Sequence, residues 1–381
     1  MAFRGIAQRW HRWLGLSIGL WFAFLGLSGA VLVFWHALED QAYPATMAVT
    51  PGDALPLETL LERLLAARPE ADIYRIQLAD APGAAIRLDF FDTRPGTADV
   101  FRATAYMNPV SGGILGERVF GGAWINTLYS LHSGLILGRP GIVVAGLVGL
   151  ALGALTLMGL ALWRYRDGRA LRESIAPVQG LRGLRRLRNW HRALGLWAVL
   201  PLVLTAITGA GLAFPETVRE LSRPLLGEPE ASLHAGPTTA GLAAAIIRAE
   251  ELLPGQRAIW IDLPLPESKA PTSIILRPAD GSLSGPGVVE FGMAFGKQMS
   301  VTQASPVETL RAWIMALHNG QTLGGQPLGM AHRLFIVALG MVPLALAGLG
   351  WAAWRRRVGN RSRGVAPHAL HPESQVTVPA P

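Results

Sequence analysis

The chain has 381 residues, 50% of them hydrophobic and only 16% charged, a balance too apolar for an ordinary soluble enzyme of this length. A formal charge of +8 would suit a nucleic-acid binder, but the arginines cluster beside long apolar runs, so topology accounts for them and no nucleic-acid partner is expected. There is no cysteine, which excludes iron–sulfur clusters, thioether-attached haem and disulfide staples.

Taken in chain order, the first element is a charge-free run from Trp13 to Trp35. It is longer than the core of a signal peptide and lacks a small-residue cleavage site, so a retained membrane span is expected. Three further runs follow, Gly141 to Trp163, Ala193 to Pro215 and Leu334 to Trp354. At about 1.5 Å per residue each reaches roughly 30 Å, the thickness of a hydrocarbon core. The segments up to Arg12, from 164 to 192 and after Trp354 hold 17 arginines against three acids, whereas 37–139 and 215–329 hold more acids than bases. Positive charge stays inside. Both termini are thus expected in the cytoplasm of a bacterial inner membrane, with two segments outside. The expected organisation is an N-terminus and first span at 1–36, an outer domain at 37–139, a span at 140–163, an arginine-rich loop at 164–190, a span at 191–215, an outer domain at 216–329, a span at 330–354 and a tail at 355–381, disordered from Leu370.

Each outer segment reads as a small α+β module. In the first, Leu57 to Ala67 has helical periodicity, followed by strand-like Ile73–Leu78, Ala85–Phe91 and Val100–Met107 and an Asn-Pro-Val-Ser-Gly turn at 108–112. In the second, Thr239 to Leu252 reads as helix and Ala258–Leu263, Thr272–Leu276 and Val288–Phe291 as strands. The fold class is therefore expected to be a membrane all-α four-helix bundle, made of two parallel-duplicated helix pairs, carrying two periplasmic α+β modules.

Self-comparison reveals the duplication. Trp10-His11-Arg12-Trp13-Leu14-Gly15-Leu16 recurs 180 residues later as Trp190-His191-Arg192-Ala193-Leu194-Gly195-Leu196, and the same offset pairs Ser28-Gly29-Ala30 with Thr208-Gly209-Ala210. Leu131-His132-Ser133-Gly134 recurs 186 residues later as Leu317-His318-Asn319-Gly320, and both even-numbered spans end in Trp-Arg.

Of nine histidines, His234, His368 and His371 fall in polar segments. The other six, His11, His36, His132, His191, His318 and His332, stand at span ends, where an ionisable side chain is costly without a partner. On an ideal helix His11, Gly15, Gly29 and His36 share a stripe, the histidines roughly 37 Å apart. Glycines on it admit a flat group or a neighbouring helix, so packing alone is the other reading. Because His11 matches His191 and His132 matches His318, each membrane face offers two imidazoles, the natural axial ligands of a b-type haem buried in a bundle. Haem ligation is the expected reading; a zinc or copper site and purely structural histidines are the competing ones. His11 with His191 is the expected inner pair, and the outer ligands lie among His132, His318, His36 and His332. Arg12, Arg192, Arg139 and Arg333 stand where they would meet haem propionates, or serve as interfacial charge.

The Trp-His-Arg-x-x-Gly-Leu entry to the odd spans and the Leu-His-x-Gly turn before the even ones resemble the PepSY-associated transmembrane family over about residues 5 to 357, and the Asn108-Pro109-x-Ser111-Gly112 turn resembles its PepSY domains. Members of this size include di-haem inner-membrane reductases of ferric siderophores, of the ferrioxamine-reductase kind. The resemblance implies two haems b and one-electron reduction of siderophore-bound Fe(III) in the periplasm, releasing Fe(II). Absent a dinucleotide-binding motif, the electron donor would be a quinol or a cytoplasmic reductase. Two alternatives are a non-enzymatic membrane-anchored PepSY binding protein and a haem reductase of a quinone, copper or a sulfur oxyanion.

Overall fold

The structure, a computed structural model, describes residues 2–79, 83–93, 99–120, 122, 124–163, 174–227, 231–235, 241–266, 268–291, 298–320 and 327–362. The expected loop residues 164–173 and the tail from 363 lie outside them.

The chain opens with α1 (Ala2–Ser17) and α2 (Gly19–Leu32), which meet at an angle of 56°. The cause is local. Ser17 Oγ donates back to the Trp13 carbonyl at 2.8 Å, which competes with the helical ladder, and Gly19 follows at once. After a short α3 (Trp35–Ala42) and a 3₁₀ turn come α4 (Leu57–Ala67) and four strands, β1 (Asp72–Gln77), β2 (Ile86–Thr93), β3 (Val100–Met107) and β4 (Ile114–Val119). Then α5 (Trp124–Gly134) leads into the long α6 (Arg139–Leu162). The second half repeats this order with α7 (Gly183–Ala213), α8 (Pro215–Leu226), β5 (Ala231–Ala235), α9 (Leu242–Leu252), β6 (Gln256–Asp262), β7 (Thr272–Pro278), β8 (Gly287–Phe291), β9 (Gln298–Thr302), α10 (Pro306–Asn319) and α11 (Pro327–Ser362).

This corrects the expected all-α four-helix bundle with two separate modules. Among the described residues three single helices, α6, α7 and α11, are long and apolar enough to cross a membrane; α1 and α2 qualify only as a bent pair. The two modules are not separate either. Their strands form one nine-stranded antiparallel sheet in the order β4-β3-β2-β1-β6-β7-β8-β9-β5. At the junction β1 pairs with β6, Ile76 opposite Ile261, while Leu78 N donates to the Ile259 carbonyl and Leu263 N to that of Tyr74. Arg75 adds a two-pronged ion pair to Asp262 at 2.5 and 3.1 Å.

One face of the sheet is covered by α4 and α9. Leu60, Leu64, Ala245 and Ala249 bury against Ile76, Phe90, Ile261 and Phe291, so a single core spans both halves. The Asn108 turn is an Asx turn, Asn108 Oδ1 accepting from the backbone N–H of Val110 and Ser111 at 3.0 and 3.1 Å, closed by Gly112 at φ +69°.

Below the sheet the long helices pack across the repeats, α2 on α11 and α6 on α7. Gly26 and Gly340 let α2 and α11 approach so closely that a Cβ at Gly26 would fall 2.2 Å from the Gly340 carbonyl oxygen. Leu202 and Ala198 of α7 meet Leu339 and Val342 of α11.

Candidate functional site

Two histidine pairs form inside this helical region. His11 and His191 bring their ring centroids to 6.1 Å, His132 and His318 to 6.3 Å. The second pair lies toward the sheet, because α5 and α10 enter from β4 and β9. His318 sits against Gly209, 18 residues beyond His191 on α7, so the pairs are about 27 Å apart along that helix.

Each ring rests against a glycine. Ideal Cβ atoms at Gly29, Gly209, Gly159 and Gly350 would stand 3.0, 2.8, 3.2 and 3.7 Å from Cε1 of His132, His318, His11 and His191 respectively. Side chains at the first three would press on the imidazoles, so those glycines admit the rings, whereas one at Gly350 would make only ordinary contact with His191. Gly15 has no neighbour within 4 Å, and the stripe drawn through it is broken by the bend. Gly159 and Gly350 escaped sequence reasoning, although each stands four residues before the Trp of a Trp-Arg terminus.

The rings are oriented by hydrogen bonds. His132 Nδ1 lies 2.9 Å from Ser28 Oγ and His318 Nδ1 3.3 Å from Thr208 Oγ1. Both hydroxyls already donate to their own helices, at the carbonyls of Phe24 (2.8 Å) and Leu204 (2.9 Å). Each therefore accepts from Nδ1–H, which leaves Nε2 with its lone pair. His191 Nδ1 donates to the Leu346 carbonyl at 3.1 Å. His11 Nδ1 faces Leu155, the repeat counterpart of Leu346, but is buried without a well-formed hydrogen bond.

The remaining sequence candidates are placed differently. His332 does not line the cavity beside the sheet-proximal pair, and its Nδ1 is buried without a partner among the described residues. His36 falls in α3, beyond the break at Phe34, and its side chain lies outside the described residues. Arg333 Nε donates to the Gly320 carbonyl at 3.4 Å, and Arg12 lies over the Trp13 ring. Arg192 holds Asn189 Oδ1 at 2.8 Å, while Arg192 Nε and Asn189 Nδ2, both buried, have no partner among the described residues. Asn189 had not been singled out from sequence. These orphaned donors near His191 suit an acidic group of a ligand.

Around His132 and His318 opens a cavity of about 890 Å³, also lined by Gly29, Gly209, Phe22 and Leu339. Among the described residues no three His, Cys, Asp or Glu side chains gather to hold a metal ion. Two imidazoles alone do not suit tetrahedral zinc, but they suit a metal whose other ligands come from a macrocycle. Metal–imidazole bonds of about 2 Å on opposite faces of one ion put the two ring centroids roughly 6 Å apart. The residues present thus fit a bis-imidazole haem.

The family described as PepSY-associated TM region matches residues 8–357, nearly the whole chain. A comparison with curated proteins gives no match.

Proposed function

We propose that this chain, which belongs to the PepSY-associated TM family and is accordingly a membrane protein, binds two haems b and carries electrons across the bacterial inner membrane to ferric siderophores in the periplasm. One observation carries the reading: two repeat-related histidine pairs, each with ring centroids near 6 Å, about 27 Å apart along α7. That separation is close to the thickness of a hydrocarbon core.

Haem bound at such pairs supplies a one-electron Fe(III)/Fe(II) carrier. The chain's own residues prepare the sites. Ser28 and Thr208 fix the Nδ1–H tautomer, Gly29 and Gly209 make room for the rings, and Phe22, Leu202 and Leu339 keep water from the interior. Each electron delivered to the acceptor converts one chelated Fe(III) to Fe(II). Siderophores hold iron through hard oxygen donors, which suit Fe(II) less well, so the metal is released. The electron comes from a quinol or a cytoplasmic reductase at the His11–His191 end, which the positive-inside charge pattern assigns to the cytoplasm. Arg12 and Arg192 flank that pair.

The test is a visible spectrum of the full chain purified in detergent from haem-replete cells, followed by stopped-flow mixing of the dithionite-reduced protein with acceptors. Expected are a bis-imidazole spectrum, two haems per chain and oxidation by ferric siderophores. A colourless preparation sinks the haem reading and favours a PepSY binding module; indifference to ferric siderophores, with rapid oxidation by quinone, copper or a sulfur oxyanion, moves the activity to that acceptor.

A further inference from the structure

The sheet-proximal histidines and their glycines obey the repeat, but the cavity around them does not. Among the described residues its four charged lining residues, Glu216 and Arg219 of α8 and Glu308 and Arg311 of α10, all come from the second half. At the matching positions of the first half stand Glu39 for Arg219 and Ile125 for Arg311, so no cation is offered there. Glu39 is itself committed, accepting from Trp35 Nε1 at 3.1 Å and pairing with buried Arg118. The first half lines the cavity instead with Phe120, Trp35 and Tyr129, the last two in an edge-to-face contact at 5.3 Å. A repeat-related pair of imidazoles thus opens on a cavity that carries guanidinium groups from one half and aromatic rings from the other.

We infer that Arg219 and Arg311 bind the carboxylates along one edge of an amphipathic planar macrocycle held by His132 and His318, fixing its orientation with the apolar edge toward Trp35 and Tyr129. The inference rests on the haem reading above and names the groups that anchor the acid edge. Both guanidinium groups are available. Arg219 meets Glu216, and Arg311 meets Glu308, only at 3.9 Å within their own helices, with the arginine side chains 56% and 60% exposed. Such pairs hold weakly and are readily exchanged for a forked bond to a ligand carboxylate. Glu216, 80% exposed, is free to turn to water as the exchange occurs. The arginines singled out from sequence, Arg139 and Arg333, do not line the cavity.

The experiment measures transfer of haem from the detergent-solubilised full chain to excess apomyoglobin, followed by visible absorbance. In R219Q/R311Q one haem per chain should leave about 10-fold faster than in the wild type, the other at its usual rate, as expected for the loss of charge-assisted bonds at one site. That second haem reports that the protein is still folded. R219K/R311K should fall between, and R139Q should match the wild type. Equal rates in the wild type and R219Q/R311Q, or acceleration in R139Q instead, overturn the assignment and leave the haem reading standing. A wild type without haem overturns that reading as well.

Discussion

Ser28 Oγ stands 2.9 Å from His132 Nδ1 while its own proton goes to the Phe24 carbonyl at 2.8 Å, so the serine acts on the imidazole as an acceptor. Thr208 does the same for His318. Residue 28 belongs to α2 and residue 132 to α5, which follows the sheet, so the bond ties α2 to the point where the chain returns from β4.

Replacing Ser28 with alanine leaves that Nδ1–H only the Leu25 carbonyl to meet and loosens the ring. Loss of an orienting group of this kind costs about 10- to 100-fold in metal affinity. Ser28→Ala should therefore release one haem at least about 10-fold faster to apomyoglobin, whereas Ser28→Thr, which imports the second repeat's own solution, should behave as wild type. An alanine variant with wild-type release would show that the hydroxyl does not orient His132.

The two pairs lie at opposite ends of α7, so they should fail independently. His191→Ala should remove about half of the haem absorbance and leave the sheet-proximal site, and His318→Ala should do the reverse. Haem-to-protein ratios on both variants check this. Loss of both haems from either single variant, with the protein still folded by circular dichroism, would mean that the pairs are not separate sites.

Close approach of α2 to α11 depends on two glycines. A Cβ at Gly26 would fall 2.2 Å from the Gly340 carbonyl oxygen, and one at Gly340 would fall 2.5 Å from that of Gly26, both against backbone that cannot yield cheaply. Gly26→Ala should destabilise the protein by about 1–3 kcal/mol as the helices are pushed apart. Gly15→Ala meets nothing within 4 Å and serves as the control. Thermal unfolding in detergent reads the difference; equal midpoints for the two variants would contradict the packing.

The inner pairing could be read from sequence because a duplication writes each residue twice and so matches His11 with His191; it matched His132 with His318 as well, but His36 and His332 left the outer set open, and it is the structure that brings His132 and His318 together. The merging of two modules into one sheet could not be read. Ile76 and Ile261 bury the same side-chain face whether β1 and β6 are edges or neighbours, and what joins them is backbone hydrogen bonding, which leaves no trace in apolar alternation. Strand β4 was missed because Glu117 and Arg118 interrupt its pattern, although Arg118 is buried against Glu39. Hydropathy also carries no direction, so the run from Trp13 to Trp35 looked straight; the Ser17 and Gly19 that bend it were the available signal. Arg219 and Arg311 were passed over because an arginine three residues after a glutamate looks like an ordinary solvated helix face.

The packing of the sheet on α3 can be tested through a single phenol. Tyr106 on β3 is 7% exposed, and burial, reinforced by the Glu39 carboxylate, pushes its phenol up to about 12, although Arg118, whose guanidinium lies 4.3 Å over the ring, pulls the other way. A phenol that ionises later in the folded than in the unfolded chain contributes stability below its ordinary pKa of about 10 and loses it as the pH climbs through the folded value. The wild type should therefore lose about 2 kcal/mol more than Tyr106→Phe on going from about pH 10 to pH 12. In a tyrosinate absorbance titration of the five tyrosines, the most alkaline step should vanish in Tyr106→Phe. Persistence of that step would mean that Tyr106 is solvated and that the Arg118–Glu39 contact does not clamp the sheet to α3.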